Sequence, residues 1–138
     1  MAMRFNPYIH LAGRAREALE FYQSVLGGQL QISTYGEGGM SQNPAEAQKV
    51  MHGQLEAPNG FVLMVSDAPE GMPVSNTSNI SLSLSGDDEA QLRRYWEGLL
   101  DGARVVEPLE KAPWGDTFGM LTDKFGIGWM VNIAGQQG

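Results

Sequence analysis

The 138-residue chain contains no cysteine. That excludes a disulfide framework, a thiolate metal site and a thiol nucleophile. Histidine is nearly as scarce, with His10 and His52 the only two. Basic residues number 9 against 16 acidic ones, for a formal charge of −7. Nucleic-acid binding needs a basic face, and none is visible, so nucleic acid is not an expected partner. No apolar run approaches the 18 residues of a membrane span. The N-terminal MAMRFNPYIH lacks the apolar core and cleavage site of a signal peptide, which makes a cytoplasmic location the expectation. Also missing are a GxGxxG helix opening, a Walker sequence and a Gly-x-Ser-x-Gly elbow. The GEGG at 36–39 has no βαβ context and does not read as a phosphate loop. What remains is 42% hydrophobic residues, enough for the core of one small domain or two fused modules.

The chain repeats itself. NPYIHLAG (6–13) matches NISLSLSG (79–86) at an offset of 73, pairing Asn6 with Asn79, Ile9 with Leu82, Leu11 with Leu84 and Gly13 with Gly86. At the same offset Tyr22 pairs with Tyr95 and Leu26 with Leu99. HGQLEAPNGFVLMV (52–65) matches FGMLTDKFGIGWMV (118–131) at an offset of 66, with five identities, at Gly53/Gly119, Leu55/Leu121, Gly60/Gly126, Met64/Met130 and Val65/Val131. The offset falls by 7 because the first copy has the longer loop, GEGGMSQNPAEAQK (36–49).

Each copy reads as βαβββ. The first strand (Tyr8–Leu11 or Ile80–Leu84) ends at a glycine. Ala15, Ala18, Leu19, Tyr22 and Leu26 then form a helical stripe, matched by Leu92, Tyr95, Trp96 and Leu99. Asp87 and Asp88 suit the second helix's N-terminus, and Gly27, Gly28 and Gly102 suit the helix ends. Strands follow at about 29–35, 50–57 and 61–66, then 104–111, 118–122 and 128–134, with Asn59-Gly60 as a hairpin turn. The modules are 1–67 and 79–138, joined by a linker at 68–78, and the fold class is α+β. Alternation puts Ile9, Leu11, Ile80, Leu82, Leu84, Phe61, Leu63 and Val65 under the helices. The opposite faces carry Asn6, Tyr8, His10, His52, Gln54, Met64 and Ser66, then Asn79, Ser81, Ser83, Phe118, Met120, Met130 and Asn132. Such a blend suits a ligand cleft.

The duplicated module, the FYQSVLGG helix end and the DKFG turn before the last strand resemble the vicinal-oxygen-chelate superfamily of glyoxalases, bleomycin-resistance proteins and extradiol dioxygenases. PYIHLAG, AREALEFYQSVLGG and TDKFGIGWMVNI are similar to its PhnB-like branch, across essentially the whole chain. Some members of that branch are labelled demethylubiquinone methyltransferases, a label nothing in this sequence supports. The resemblance implies two modules whose curved mixed sheets form a ligand cup, usually in a homodimer. It also implies metal-ligand positions on the first and fourth strand of each module. Carried over, these fall on Asn6, Met64, Asn79 and Met130, although an ungapped count from the FY pair reaches Pro7 instead of Asn6. Amides and thioethers cannot neutralise a hard or borderline divalent ion, so no cofactor is expected. A metal stays open only at His10 and His52 with Glu56.

The expected activity is metal-independent binding of a small, cationic or aromatic molecule. Its expected contacts are Tyr8, His10, His52, Gln54, Met64, Asn79, Ser81, Trp114, Phe118, Met120, Met130 and Asn132. The alternative is a lyase, isomerase or dioxygenase using His10 and His52 as acid–base groups or in a non-standard metal site. Trp114 is placed to stack on a planar or cationic ligand, and Asp116 to pair with a cation. The 36–49 loop reads as a mobile cover.

Overall fold

The computed structural model describes residues 3, 5–37, 44–69, 72, 74 and 79–135. The chain divides into two compact units, Met1–Val74 and Ser75–Gly138. Unit 1 runs β1 (Tyr8–Leu11), α1 (Ala15–Leu26), β2 (Gln29–Thr34), a one-turn α2 (Pro44–Ala47), β3 (Val50–Glu56) and β4 (Val62–Asp67). Unit 2 runs β5 (Ser81–Gly86), α3 (Glu89–Leu99), β6 (Arg104–Lys111), β7 (Thr117–Thr122) and β8 (Gly128–Ile133). The sheets have the orders β1-β4-β3-β2 and β5-β8-β7-β6. In each, the first pair is parallel and the other two antiparallel.

One helix covers one face of each sheet. Ala15, Ala18, Leu19 and Tyr22 are fully buried on α1 over Val50, Leu55 and Val65. Leu92, Tyr95, Trp96 and Leu99 are buried on α3 over Leu121, Trp129 and Val131. The repeated glycines mark where helix meets sheet. A Cβ on Gly53 would collide with Leu19, and one on Gly119 would lie 2.8 Å from Cη2 of Trp96 and 2.9 Å from Cα of Leu109. A side chain there would push the helix off the sheet.

The helices begin differently. Asp88 caps α3 locally, its carboxylate accepting the Gln91 N–H at 3.1 Å. No side chain within α1's own turn caps that helix. Its cap is Asp67, at the end of β4 and 2% exposed, whose Oδ1 accepts the N–H groups of Gly13 (2.7 Å) and Ala15 (3.0 Å). Oδ2 accepts Val50 N–H at 3.0 Å, so one carboxylate ties β4 to α1 and to the start of β3. The second buried carboxylate, Asp123, explains the DKFG turn. Its Oδ1 accepts Phe125 and Ile127 N–H at 2.8 and 3.0 Å, and its Oδ2 the Trp129 indole N–H at 2.9 Å. The other hairpin turns through Asn59 and Gly60 at φ 70° and 78°, the positive values that Asn-Gly favours.

Pairing corrects the repeat register in the first strands. Tyr8 is the register partner of Met64, and Ser83 that of Met130. The equivalent of Tyr8 is therefore Ser83, an offset of 75 (83 − 8), while 66 holds for the later strands. The Ala68 N–H to Leu11 C=O and Ala134 N–H to Gly86 C=O bonds, both 2.7 Å, repeat that relation. Asn6 thus corresponds to Ser81, not Asn79. Ile80, expected beneath the helix, precedes β5 and is 72% exposed, because pairing starts at Ser81 with Gly128. Phe61 also precedes its strand and is only half-buried.

The expected cover loop is pinned at its base, where Tyr35 N–H meets Lys49 C=O (3.1 Å) and Gly36 N–H meets Ala47 C=O (3.0 Å). Its tip, residues 38–43, and most of the expected 68–78 linker lie outside the described residues.

Candidate ligand-binding faces

Each sheet keeps one face free of its own helix, and the side chains there come from alternate positions of neighbouring strands. In unit 1 these are Tyr8 and His10 on β1, Met64 and Ser66 on β4, His52 and Gln54 on β3, and Gln31 and Ser33 on β2. Tyr8 organises them. Its ring stacks on that of His10 with centroids 4.7 Å apart and planes 16° apart. Its hydroxyl lies 3.1 Å from Nδ1 of His52. Nδ1 of His10 lies 3.0 Å from Oγ of Ser66, which is buried beneath the cluster. Beside them Tyr35 donates its hydroxyl proton to Asp67 C=O at 2.7 Å. Burial first, and then the Asp67 charge, push the Tyr35 phenol above its ordinary range.

Gln54 and Glu56 point along the same strand, and Gln54 Nε2 donates to Glu56 Oε1 at 2.9 Å. Glu56 stands four residues from His52, roughly 13 Å along an extended strand, so it does not join the histidines. Among the described residues no three of His, Asp and Glu stand close enough to hold a metal ion. The quartet expected at the family's metal positions is not assembled in pairs either. Tyr8 lies across from Met64, while Asn6 precedes β1 and lines an open pocket of about 410 Å³ with Phe5, Glu56 and Phe61. Ser83 lies across from Met130, and Asn79 precedes β5. These residues do not fit the family's metal.

Unit 2 has a different free face. Met120 and Met130 are register partners, as are Phe118 and Asn132, with Ser83 and Ser85 beyond them on β5. The two methionines, Phe118 and Asn132 are all half-buried. Trp114, in the turn before β7, is 65% exposed and meets Phe118 edge-on at 6.0 Å between centroids. Asp116 is not waiting for a cation. It accepts from Nδ2 of Asn132 at 3.0 Å and from Gly135 N–H at 2.8 Å. The Asn132 hydrogen bond, seconded by Gly135, holds its carboxyl below the usual range. It therefore fixes the amide of Asn132 on the free face of unit 2.

Two residues here carried no sequence signal. Glu107 and Glu110, on the outer strand β6, are register partners of Met120 and Phe118 and put exposed carboxylates beside the aromatic and thioether groups. Irregular pairing in β6 breaks the alternation that would have placed them on this face. Arg104 and Lys111 sit at the two ends of the same strand.

A family model described as 3-demethylubiquinone-9 3-methyltransferase matches residues 3–132. The chain belongs to that family. It is a PhnB-like member of the vicinal-oxygen-chelate superfamily, with the glyoxalase/bleomycin-resistance fold in two modules. It is similar to the solved protein PA1353 from Pseudomonas aeruginosa, with 35% identity over 98% of this chain and 100% of that one, at a TM-score of 0.81. A PhnB protein from Bacillus cereus is 25% identical over 96% of this chain and 100% of its own, with a TM-score of 0.75. A glyoxylase/bleomycin resistance protein/dioxygenase domain from Frankia sp. EAN1pec shares the fold, with 13% identity, 97% and 98% coverage and a TM-score of 0.66. Membership in this PhnB-like group passes on the scaffold. The methyl transfer in the family's name does not follow from it, because function resides in a site and not in a fold.

No helix among the described residues is long and apolar enough to cross a membrane.

Proposed function

We propose that this protein binds a small organic molecule on the helix-free faces of its sheets without using a metal ion. One observation carries the reading. The free face of unit 2 keeps Phe118, Met120 and Met130 half-buried opposite the helix, under an exposed Trp114, with an amide fixed among them. Thioethers and aromatics make an adaptable apolar lining, and Asn132 supplies an oriented polar contact. Glu107 and Glu110 at its edge, together with the net charge of −7, favour a planar organic cation over an anion there.

Trp114 gives this reading a direct readout. Trp96 and Trp129 are 7% and 3% exposed, so a ligand on this face alters chiefly the Trp114 emission. Titration with planar cations such as N-methylquinolinium is expected to quench that emission saturably. Trp114→Ala is expected to weaken binding roughly tenfold or more, the loss of a stacking and cation–π contact, while thermal unfolding stays unchanged. Undiminished affinity in that variant would remove Trp114 from the site. Failure of aromatic cations and their neutral analogues to bind would contradict the reading as a whole.

A further inference from the structure

The two units build the same four-stranded frame, so each serves as a structural control for the other. Where unit 1 has Tyr8, His10, His52 and Ser66, unit 2 has Ser83, Ser85, Phe118 and Asn132. The frame therefore folds with neither phenol nor imidazole at these positions. Nor do Tyr8 and His10 fill the core, since both are exposed and point away from the α1 side. Only unit 1 gathers both of the chain's histidines, one stacked on a tyrosine ring and the other at its hydroxyl.

The hydrogen bonds direct what these groups offer. With the Tyr8 hydroxyl donating to Nδ1 of His52, the imidazole proton sits on Nε2. His10 uses Nδ1 on Ser66. Among the described residues neither Nε2 has a hydrogen-bond partner, so both are available to a ligand.

The surrounding charges favour an oxyanion. Among the described residues the free face of unit 1 carries a single carboxylate, Glu56, which is at its far end and bonded to Gln54. Asp67, adjoining the cluster, is buried and bonded to three backbone N–H groups. Tyr35 donates to a backbone carbonyl, and Glu46 and Lys49 pair with each other at 2.6 Å. Among the described residues the cluster thus offers imidazole donors and has no carboxylate bonded to it. Unit 2 presents Glu107 and Glu110 at the edge of its face instead.

We propose that the helix-free face of unit 1 is an oxyanion subsite that takes a carboxylate on the Nε2–H donors of His10 and His52, with Tyr8 holding both imidazoles in place. The proposal rests on the reading of the free faces as ligand surfaces and names the chemistry of one of them. A carboxylate takes a stronger, charge-assisted hydrogen bond from an imidazolium than from a neutral imidazole, so acid conditions are expected to favour binding.

The test titrates the ¹⁵N-labelled full chain with benzoate and with its neutral analogue benzamide, at about pH 5.5 and pH 8. Imidazole ¹⁵N–¹H signals report on unit 1 and the Trp114 indole signal on unit 2. Benzoate is expected to shift both imidazoles and to bind roughly tenfold tighter at the lower pH, the gain of a charge-assisted hydrogen bond, with benzamide indifferent to pH. Tyr8→Ser, His10→Ser and His52→Phe install the residues of unit 2 and are expected to abolish the preference while thermal unfolding holds. Equal affinity for both probes at both pH values overturns the subsite, as does a pH preference surviving in His10→Ser and His52→Phe. Shifts at Trp114 alone overturn the subsite but leave the ligand-face reading intact. No shift at any of these groups with either probe overturns the subsite, and the titration with planar cations then decides the ligand-face reading separately.

Discussion

Asp67→Ala is expected to lower the unfolding free energy by about 4 kcal/mol, the largest single effect among the substitutions considered. The carboxylate is 2% exposed and accepts three backbone N–H groups from two other chain segments, the start of α1 and the start of β3. Alanine leaves the donors of Gly13, Ala15 and Val50 without their acceptor, and hydrogen bonds to a charged group contribute about 1.5–3 kcal/mol each before relaxation and water entry reduce the sum. A domain of this size has only about 5–15 kcal/mol in total. Asp67→Asn tests the account more finely. It keeps the shape but turns an N–H toward one of the three donors, and an intermediate loss is expected. Urea unfolding gives the free energy, and amide exchange at Gly13, Ala15 and Val50 locates it. Equal stability in the alanine variant would mean that α1 is held by its apolar stripe alone.

Asp123→Ala is expected to lower stability by about 3 kcal/mol. It releases the turn N–H groups of Phe125 and Ile127 and strands the indole N–H of Trp129, whose ring is 3% exposed. A buried donor without an acceptor has a desolvation penalty of its own. Trp129→Phe removes that donor, so Asp123→Ala is expected to have a smaller effect in its background. The double-mutant cycle over these two sites isolates the indole–carboxylate contact, and strict additivity would show that the contact contributes nothing.

The two carboxylates also show why parts of the fold were legible in the sequence and parts were not. Four of the five identities between the hairpins are fixed by turn geometry or close packing, as with Gly53 under Leu19 and Gly119 under Trp96. The helix stripes were legible for the same reason. Asp67 was not, because its three partners lie 17, 52 and 54 residues away and nothing local marks it. Its repeat equivalent is Ile133, and α3 uses its neighbour Asp88 instead, so the duplication gave no hint.

The two-residue error in the first-strand register has a related cause. Strand faces have a period of two, and a slip of two positions preserves every inside–outside assignment. The pattern was right about which face Tyr8 and His10 occupy. It was silent on which residue lies across from Met64, and that pairing decides whether the metal quartet assembles. Asp116 shows the remaining gap. A turn carboxylate reads as available, yet Asn132, sixteen residues on, draws it into a clasp. That Phe118 lies on the helix-free face was readable from alternation, whereas Glu107 and Glu110 were hidden by the irregular pairing of β6.

Binding without a metal is open to a simple test, equilibrium dialysis. Tag-free protein purified without chelator is dialysed against Zn²⁺, Ni²⁺, Fe²⁺ and Mn²⁺, with bound metal and thermal unfolding measured together. The expected result is no stoichiometric uptake and no rise in unfolding temperature with any of the four ions. One ion per chain, lost in His10→Ser or His52→Phe, would contradict the account and make the histidine face of unit 1 a metal centre.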